Sequence, residues 1–380
     1  MTLRFPTWLA RVLLTLAALL VAVWVILAWL HANAIREEFL LPRPAAVDYP
    51  LTVLANEAGR VVLTRSPESE IEGLWGLESE RAYAQVSTVV RISDDTVERG
   101  VRAVVGTIDV GSNVRIDADA YTGDPLTAHG LGFDNDFAIP SDIGPHPAWF
   151  IDGRRSTWVI FVHGRGIDRR TESLRITPSL VEQGFPIISM TYRGDIGATP
   201  SPSGMRMWGL DEWKDLEAAV TVAKRKGAKD FVIIGSGYGA SIVSMFLQES
   251  DSVGSVRAVV YDSPVLDLEG VVRRWAQATG VPRPVAWLGR RLTSVRFGMD
   301  WSTLDQLERA DEFDVPVLML VGGNDQVTPI EEQLGFAETL GDLATVVRFE
   351  QGGTANLWNI DAERYERAVE AFLSETVGSE

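Results

Sequence analysis

The chain has 380 residues and a formal net charge of −17, long enough for one large core with or without a smaller companion domain. So acidic a chain repels nucleic acid and offers no basic face for it. It contains no cysteine, which excludes disulfides, thiolate metal sites and cysteine nucleophiles, and its histidines are only four: His31, His129, His146 and His163.

The first element in the chain is apolar. Val12 to Leu30 carries no charge, and ~20 apolar residues cross a bilayer. The run is apolar all round, which fits a lipid-facing helix better than a core helix. Trp8, Trp24 and Trp29 suit interfacial anchors. Ala32-Asn33-Ala34 has the small-x-small form of a cleavage site, but the run exceeds the ~7–15 residues of a signal-peptide apolar region, so an uncleaved anchor over 1–35 is expected. Arg4 and Arg11 precede it and Arg36 and Arg43 follow it. The amino terminus and the nearby Arg11 favour the N-terminus inside, which puts the remainder outside the cytoplasm.

Residues 36–48 (REEFLLPRPAAVD) are polar and proline-bearing and read as a linker. A β-rich lead-in is expected over 49–150. Its strand pieces are 49–55, 60–64, 84–92 and 102–110, β-branched and punctuated by Gly, Asp, Asn and Ser. Residues 121–150, rich in Gly, Pro and Asp, read as irregular connection.

From 151 to 377 the pattern changes. Apolar runs at 158–163, 186–192, 231–234, 258–262, 315–321 and 345–349 alternate with amphipathic stretches at about 172–183, 210–226, 240–248, 330–340 and 362–373. Near-continuous β-branched runs suit a mostly parallel sheet buried on both faces, with helices covering each face: an α/β fold. Between about 267 and 307 lies a helical insert (VVRRWAQATGVPRPVAWLGRRL) placed as a cap would be. Trp275 and Trp287 read as packing residues. Arg273, Arg274, Arg290 and Arg291 read as a solvated face, or as a cluster able to touch anionic headgroups.

Five motifs follow successive strands in order: 161-FVHGRG-166, 192-YRGDIG-197, 235-GSGYGA-240, 321-VGGNDQVTP-329 and 351-QGGTANLW-358. With these the chain resembles the α/β-hydrolase superfamily, in particular membrane-anchored bacterial members similar to esterases, lysophospholipases and acyl peptidases. The resemblance implies an α/β-hydrolase fold. It also implies an oxyanion loop and pocket at His163, Gly164, Arg165, Ser236 and Tyr238, and a Ser…Asp…His triad whose positions here read Gly237, Asp325 and Thr354.

Glycine has no side chain with which to attack, and threonine is no base near neutral pH. Gly237 accepts the strained turn of a nucleophile elbow without penalty. Ser236 lacks glycines at 234 and 238, Ser241 lacks one at 243, and no histidine follows His163, so no register restores the triad. His163, His129 or His146 could supply a base from elsewhere, although His163 suits support of the loop and the other two suit solvated loops. Asp195, Asp262 and Asp325 stand at strand ends, where parallel sheets gather ligands, but without histidines at ligand spacing. No metal or cofactor is expected.

The expectation is therefore a membrane-anchored, extracytoplasmic pseudoenzyme that binds a lipid, acyl or peptide ligand, or an envelope protein partner. The alternatives are an active esterase, thioesterase or peptidase using unorthodox groups, and a purely structural interaction partner.

Overall fold

The computed structural model describes residues 7–42, 44, 47–164, 166 and 170–378. Helix α1 (Thr7–Ile35) continues into a turn of π-helix over Arg36–Leu40. The combined helix is long and apolar enough to cross a membrane. Most of it faces outward; only its last turns bury Ala28, His31, Ala32 and Ile35. Residues 36–40, expected within a polar linker, instead dock. Phe39 and Leu40 are buried in the main core, the Leu40 carbonyl accepts from Arg206 N–H at 2.7 Å, and the Phe39 carbonyl accepts from Trp208 Nε1 at 3.0 Å. Two apolar side chains inside a run of charges outweigh its polar composition.

Six short strands follow: β1 (Leu51–Glu57), β2 (Arg60–Thr64), β3 (Trp75–Glu78), β4 (Tyr83–Ile92), β5 (Thr96–Val105) and β6 (Asn113–Asp117). They close an antiparallel barrel in the order β1-β2-β5-β4-β3-β6. Closure removes exposed edges, and alternate residues such as Leu51, Val53, Val61 and Leu63 fill the interior. Arg99 is also wholly buried. Its guanidinium donates to the carbonyls of Ser69, Ile71 and Gly73, and burial pushes it down to about 10. The strand expected at 102–110 lies at 96–105 instead, because the buried Val97 and Arg99 set its inward face.

The stretch 121–150 is structured, contrary to the irregular connection expected. It holds α2 (Pro125–His129) and a hairpin of β7 (Ala138–Ser141) and β8 (Gly144–Ile151). Its prolines give it the composition of a loop. Pro140, Pro145 and Pro147 all lie on this two-strand margin of the sheet, where missing N–H groups are tolerated.

The main sheet comprises β7, β8, β9 (Thr157–Val162), β10 (Ile187–Met190), β11 (Asp230–Ser236), β12 (Val256–Asp262), β13 (Val317–Gly322) and β14 (Ala344–Phe349). The order is β14-β13-β12-β11-β9-β10-β8-β7. From β10 to β14 all neighbours are parallel, and β8 joins β10 antiparallel. One face carries α4 (Trp213–Arg225), α5 (Tyr238–Glu249) and α8 (Ile330–Leu340). The other carries α3 (Thr177–Glu182), α9 (Leu357–Ile360) and α10 (Ala362–Thr376). Between β12 and β13 stand α6 (Leu268–Ala278) and α7 (Arg283–Phe297). The chain leaves β9 toward β10 on one side and returns to β11 on the other. This is the switch point at which open parallel sheets place their sites.

Leu40→Ala removes a fully buried side chain from the junction of helix and core. It is expected to cost about 2–5 kcal/mol, read as an earlier denaturant midpoint for the full chain in detergent.

Candidate functional site

At the C-terminal edge of the sheet, β9, β11 and β12 end level. Gly235 pairs with Val162 and Tyr261, and Ser236 with Asp262. The turn from β11 to α5 is made by Gly235, Ser236, Gly237, Tyr238 and Gly239. A Cβ at Gly235 would meet the Ala240 Cα at 2.9 Å, and one at Gly239 would collide with the carbonyl of Val162. These two glycines therefore let α5 press against the sheet, and the residue between them is the apex. That residue, Gly237, has φ 48° and ψ −107°, a conformation that L side chains rarely adopt. Its N–H donates to the Asp262 carbonyl at 2.8 Å. A Cβ added there would meet no atom within 4 Å, so the apex looks into open space.

The two serines beside the apex are engaged. Ser236 is wholly buried and its Oγ donates to Glu172 Oε1 at 2.7 Å. Ser241 Oγ donates to the Val265 carbonyl at 2.8 Å. Tyr238 opens α5, but its ring lies in the core, stacked with Tyr192 and edge-on to Trp208, and its hydroxyl accepts from Trp208 N–H.

His163 and Gly164 follow β9. His163 is fully buried. Its Nε2 bonds Asp195 at 2.9 Å, its Nδ1 bonds the Gly164 carbonyl at 2.9 Å, and its ring stacks on Tyr192. The Gly164 N–H donates to Glu172 Oε2 at 2.7 Å. Arg165 lies outside the described residues.

The acid loop and the last loop meet. Gly322 and Gly323 have no room for Cβ atoms, which would stand 2.5 Å from the carbonyls of Gly352 and Glu350. This closeness brings Thr354 to Asp325, and the threonine Oγ1 donates to Asp325 Oδ1 at 2.5 Å. The same oxygen accepts from the N–H groups of Val327 and Thr328. Asp325 Oδ2 is buried and has no hydrogen-bond partner among the described residues. Buried carboxylate oxygens rarely go unmatched, and a bound donor is the direct remedy.

The elbow and the last loop are linked through Ser263, held at φ 49°. Its Oγ accepts from Ala355 N–H and donates to Asp262, the residue whose carbonyl holds Gly237. Ala355, next to Thr354, is also at positive φ (54°).

The other histidines stand apart from this constellation. His129 Nε2 donates to the Leu174 carbonyl at 2.8 Å. His146 is buried, its Nε2 on Asp215 at 3.0 Å and its Nδ1 accepting from Thr199 N–H. His31 stacks on Trp275. Asp195, Asp262 and Asp325 do not converge. Asp195 holds His163 and Arg206, and Asp262 accepts from Tyr365 and Ser263. Among the described residues no group of three or more metal-ligating side chains stands together.

No local motif marks Glu172 and Arg175, which the fold brings beneath the site. Arg175 Nη2 donates to Glu172 Oε1 at 2.9 Å and its Nη1 to the Ala355 carbonyl at 2.8 Å. Nearby, burial pushes the Asp262 carboxyl up to about 6 against the opposing pull of Arg175.

A family model described as the alpha/beta hydrolase family matches residues 159–368. A second, described as a domain of unknown function (DUF8805), matches residues 52–117, the barrel. No curated protein matches the sequence. Among solved structures, the esterase Pf2001 of Pyrococcus furiosus superposes with a TM-score of 0.55 at 19% identity, covering 68% of this chain and 96% of that one. A second crystal form of it gives 0.54 at 20%, covering 68% and 98%. A puromycin-hydrolysing peptidase of Mycobacterium tuberculosis gives 0.50 at 19%, covering 87% of this chain and 55% of that one. At such identities these likenesses carry the fold alone.

The folded value of Asp262 lies above the ordinary carboxylate value. Its ionisation between about pH 4 and 6 therefore works against the folded state, and stability from this group falls as pH rises through that window. Infrared titration is expected to show a protonated carboxyl band persisting at pH 5, fading by pH 7, and missing in Asp262→Asn.

Proposed function

This chain belongs to the alpha/beta hydrolase family, and we propose that it is a membrane-anchored member that binds its ligand rather than cleaving it. The observation that carries the reading is the apex of the elbow. Gly237 holds the nucleophile's conformation with open space above it and no atom to attack with.

Three further features support the reading. Thr354 occupies the carboxylate that orients the family's histidine. All four histidines are committed elsewhere: His163 to Asp195, His146 to Asp215, His129 to Leu174, and His31 to Trp275. Ser236 and Ser241 are tied down by hydrogen bonds.

The ligand chemistry follows from what the site offers. The first turn of α5, where Ala240 N–H already donates to the Gly237 carbonyl at 3.2 Å, sits at the positive end of the helix dipole, which suits a carbonyl or carboxylate oxygen. Asp325 Oδ2 has no donor among the described residues. A molecule with an acceptor and an O–H or N–H donor, such as an acylated or peptide-like ligand, satisfies both. The apolar run of α1 anchors the chain as a single span, and the positive residue before it places the folded part outside the cytoplasm.

Fluorophosphonate labelling of the full chain in detergent, with peptide mapping, tests the reading. The natural protein is expected to remain unlabelled, and the Gly237→Ser, Thr354→His double variant to label at position 237. Labelling of the natural protein at Ser236, Ser241 or another serine would overturn the non-catalytic reading in favour of an active hydrolase.

A further inference from the structure

The last turns of α1 run beside α7. A Cβ at Gly289 would stand 2.6 Å from His31 Cδ2 and 3.3 Å from the Ala28 carbonyl, so the helices touch closely there. Further along, the Arg36 guanidinium lies over the Phe297 ring at 5.7 Å. The Arg296 guanidinium lies over the Trp29 ring at 5.0 Å. The turn joining α6 to α7 lies beside the end of the apolar run of α1. A cavity of about 440 Å³ is found there, between Leu27, Leu30, His31 and Ala34 of α1 and the α6–α7 hairpin, where Trp275 and Val281 line it. At a rise of 1.5 Å per residue, Leu27 sits about 5 Å deeper in the run than Leu30.

The hairpin tip suits an apolar environment. The N–H groups of Thr279, Gly280 and Val281 are bonded to carbonyls of α6. Pro282 and Pro284 have no N–H to leave unmatched. On a chain of net charge −17, α7 carries Arg283, Arg290, Arg291 and Arg296 and no acidic residue. Arg290 pairs with Glu269, whereas Arg283, Arg291 and Arg296 form no ion pair among the described residues. Arg283, Trp287, Arg291 and Val295 recur every fourth residue along the exposed face. Arginine, tryptophan and valine along one face are the pattern of a helix at a headgroup boundary.

We propose that the groove between α1 and the α6–α7 hairpin holds an acyl chain of a phospholipid from the surrounding bilayer, with Arg283 and Arg291 at the level of anionic headgroups. The proposal rests on the reading of α1 as a membrane span. It makes the hairpin a second membrane-contact element, independent of the site at Gly237.

The absence of native cysteine permits a clean test. Single variants Val281→Cys, Leu20→Cys and Asp342→Cys of the full chain are labelled with an environment-sensitive nitrobenzoxadiazole. They are then reconstituted in phosphatidylcholine–phosphatidylglycerol vesicles carrying nitroxide on the acyl chains. The Val281 and Leu20 probes are expected to be blue-shifted and quenched several-fold more than the Asp342 probe. Quenching at Leu20 without quenching at Val281 would show the hairpin clear of the lipid and overturn the proposal. Quenching at neither would overturn the membrane reading beneath it. Disulfide-linked dimers of unlabelled Val281→Cys in high yield would show a second copy covering the groove, and would also overturn it.

Discussion

A buried carboxylate must be met by donors or it destabilises everything around it, and among the described residues Glu172 is met from three directions. It receives the Gly164 N–H from the loop after β9, the Ser236 hydroxyl from the end of β11, and the Arg175 guanidinium from its own turn. Arg175 passes the connection on to the Ala355 carbonyl and, at 3.3 Å, to Asn359 Oδ1. Asn359 then donates to the carbonyls of Leu74 and Ala118. One chain of polar contacts therefore runs from the loop beside the elbow, under the site, to the barrel region. Glu172 also explains why Ser236, the serine adjacent to the apex, is unavailable: its proton is directed into the fold.

The parallel core of the molecule was legible because its signals are local. Each inner strand is a near-continuous apolar run, and each glycine motif follows a strand end. The glycines at 235 and 239 that frame the apex answer to close packing of α5 on β9, a demand a short motif can express. What escaped the reading depends on distant partners. The strands at 75–78 and 113–117 are short and gain their place only by closing the barrel. The β7–β8 hairpin hides behind prolines permitted by its marginal position. Glu172, Arg175 and Asn359 look like ordinary polar residues until the fold buries them. Phe39 and Leu40 were masked by the charges beside them.

The docking of Phe39 and Leu40 bears on more than stability. The Phe39 carbonyl accepts from the Trp208 indole, the Trp208 N–H donates to the Tyr238 hydroxyl, and Tyr238 is the first residue of α5. The end of the long apolar helix is thus two hydrogen bonds from the elbow. Trp208 is held at φ 57°, a conformation costly for a bulky residue, and it persists because packing on both sides fixes it.

A polar tether would let the domain tumble above the membrane, and its ligand could then come from any direction. The contacts at Gly289, Phe39 and Leu40 deny that freedom. If α1 spans a bilayer, the attitude of the sheet toward the lipid is set by the same side chains that pack the core. On the proposed reading, a site that binds without turnover gains its usefulness from where and how it presents itself. On the proposed reading, the energy of burying the helix junction fixes that presentation, while Gly237 relieves the elbow of the strain that a reactive serine would impose there.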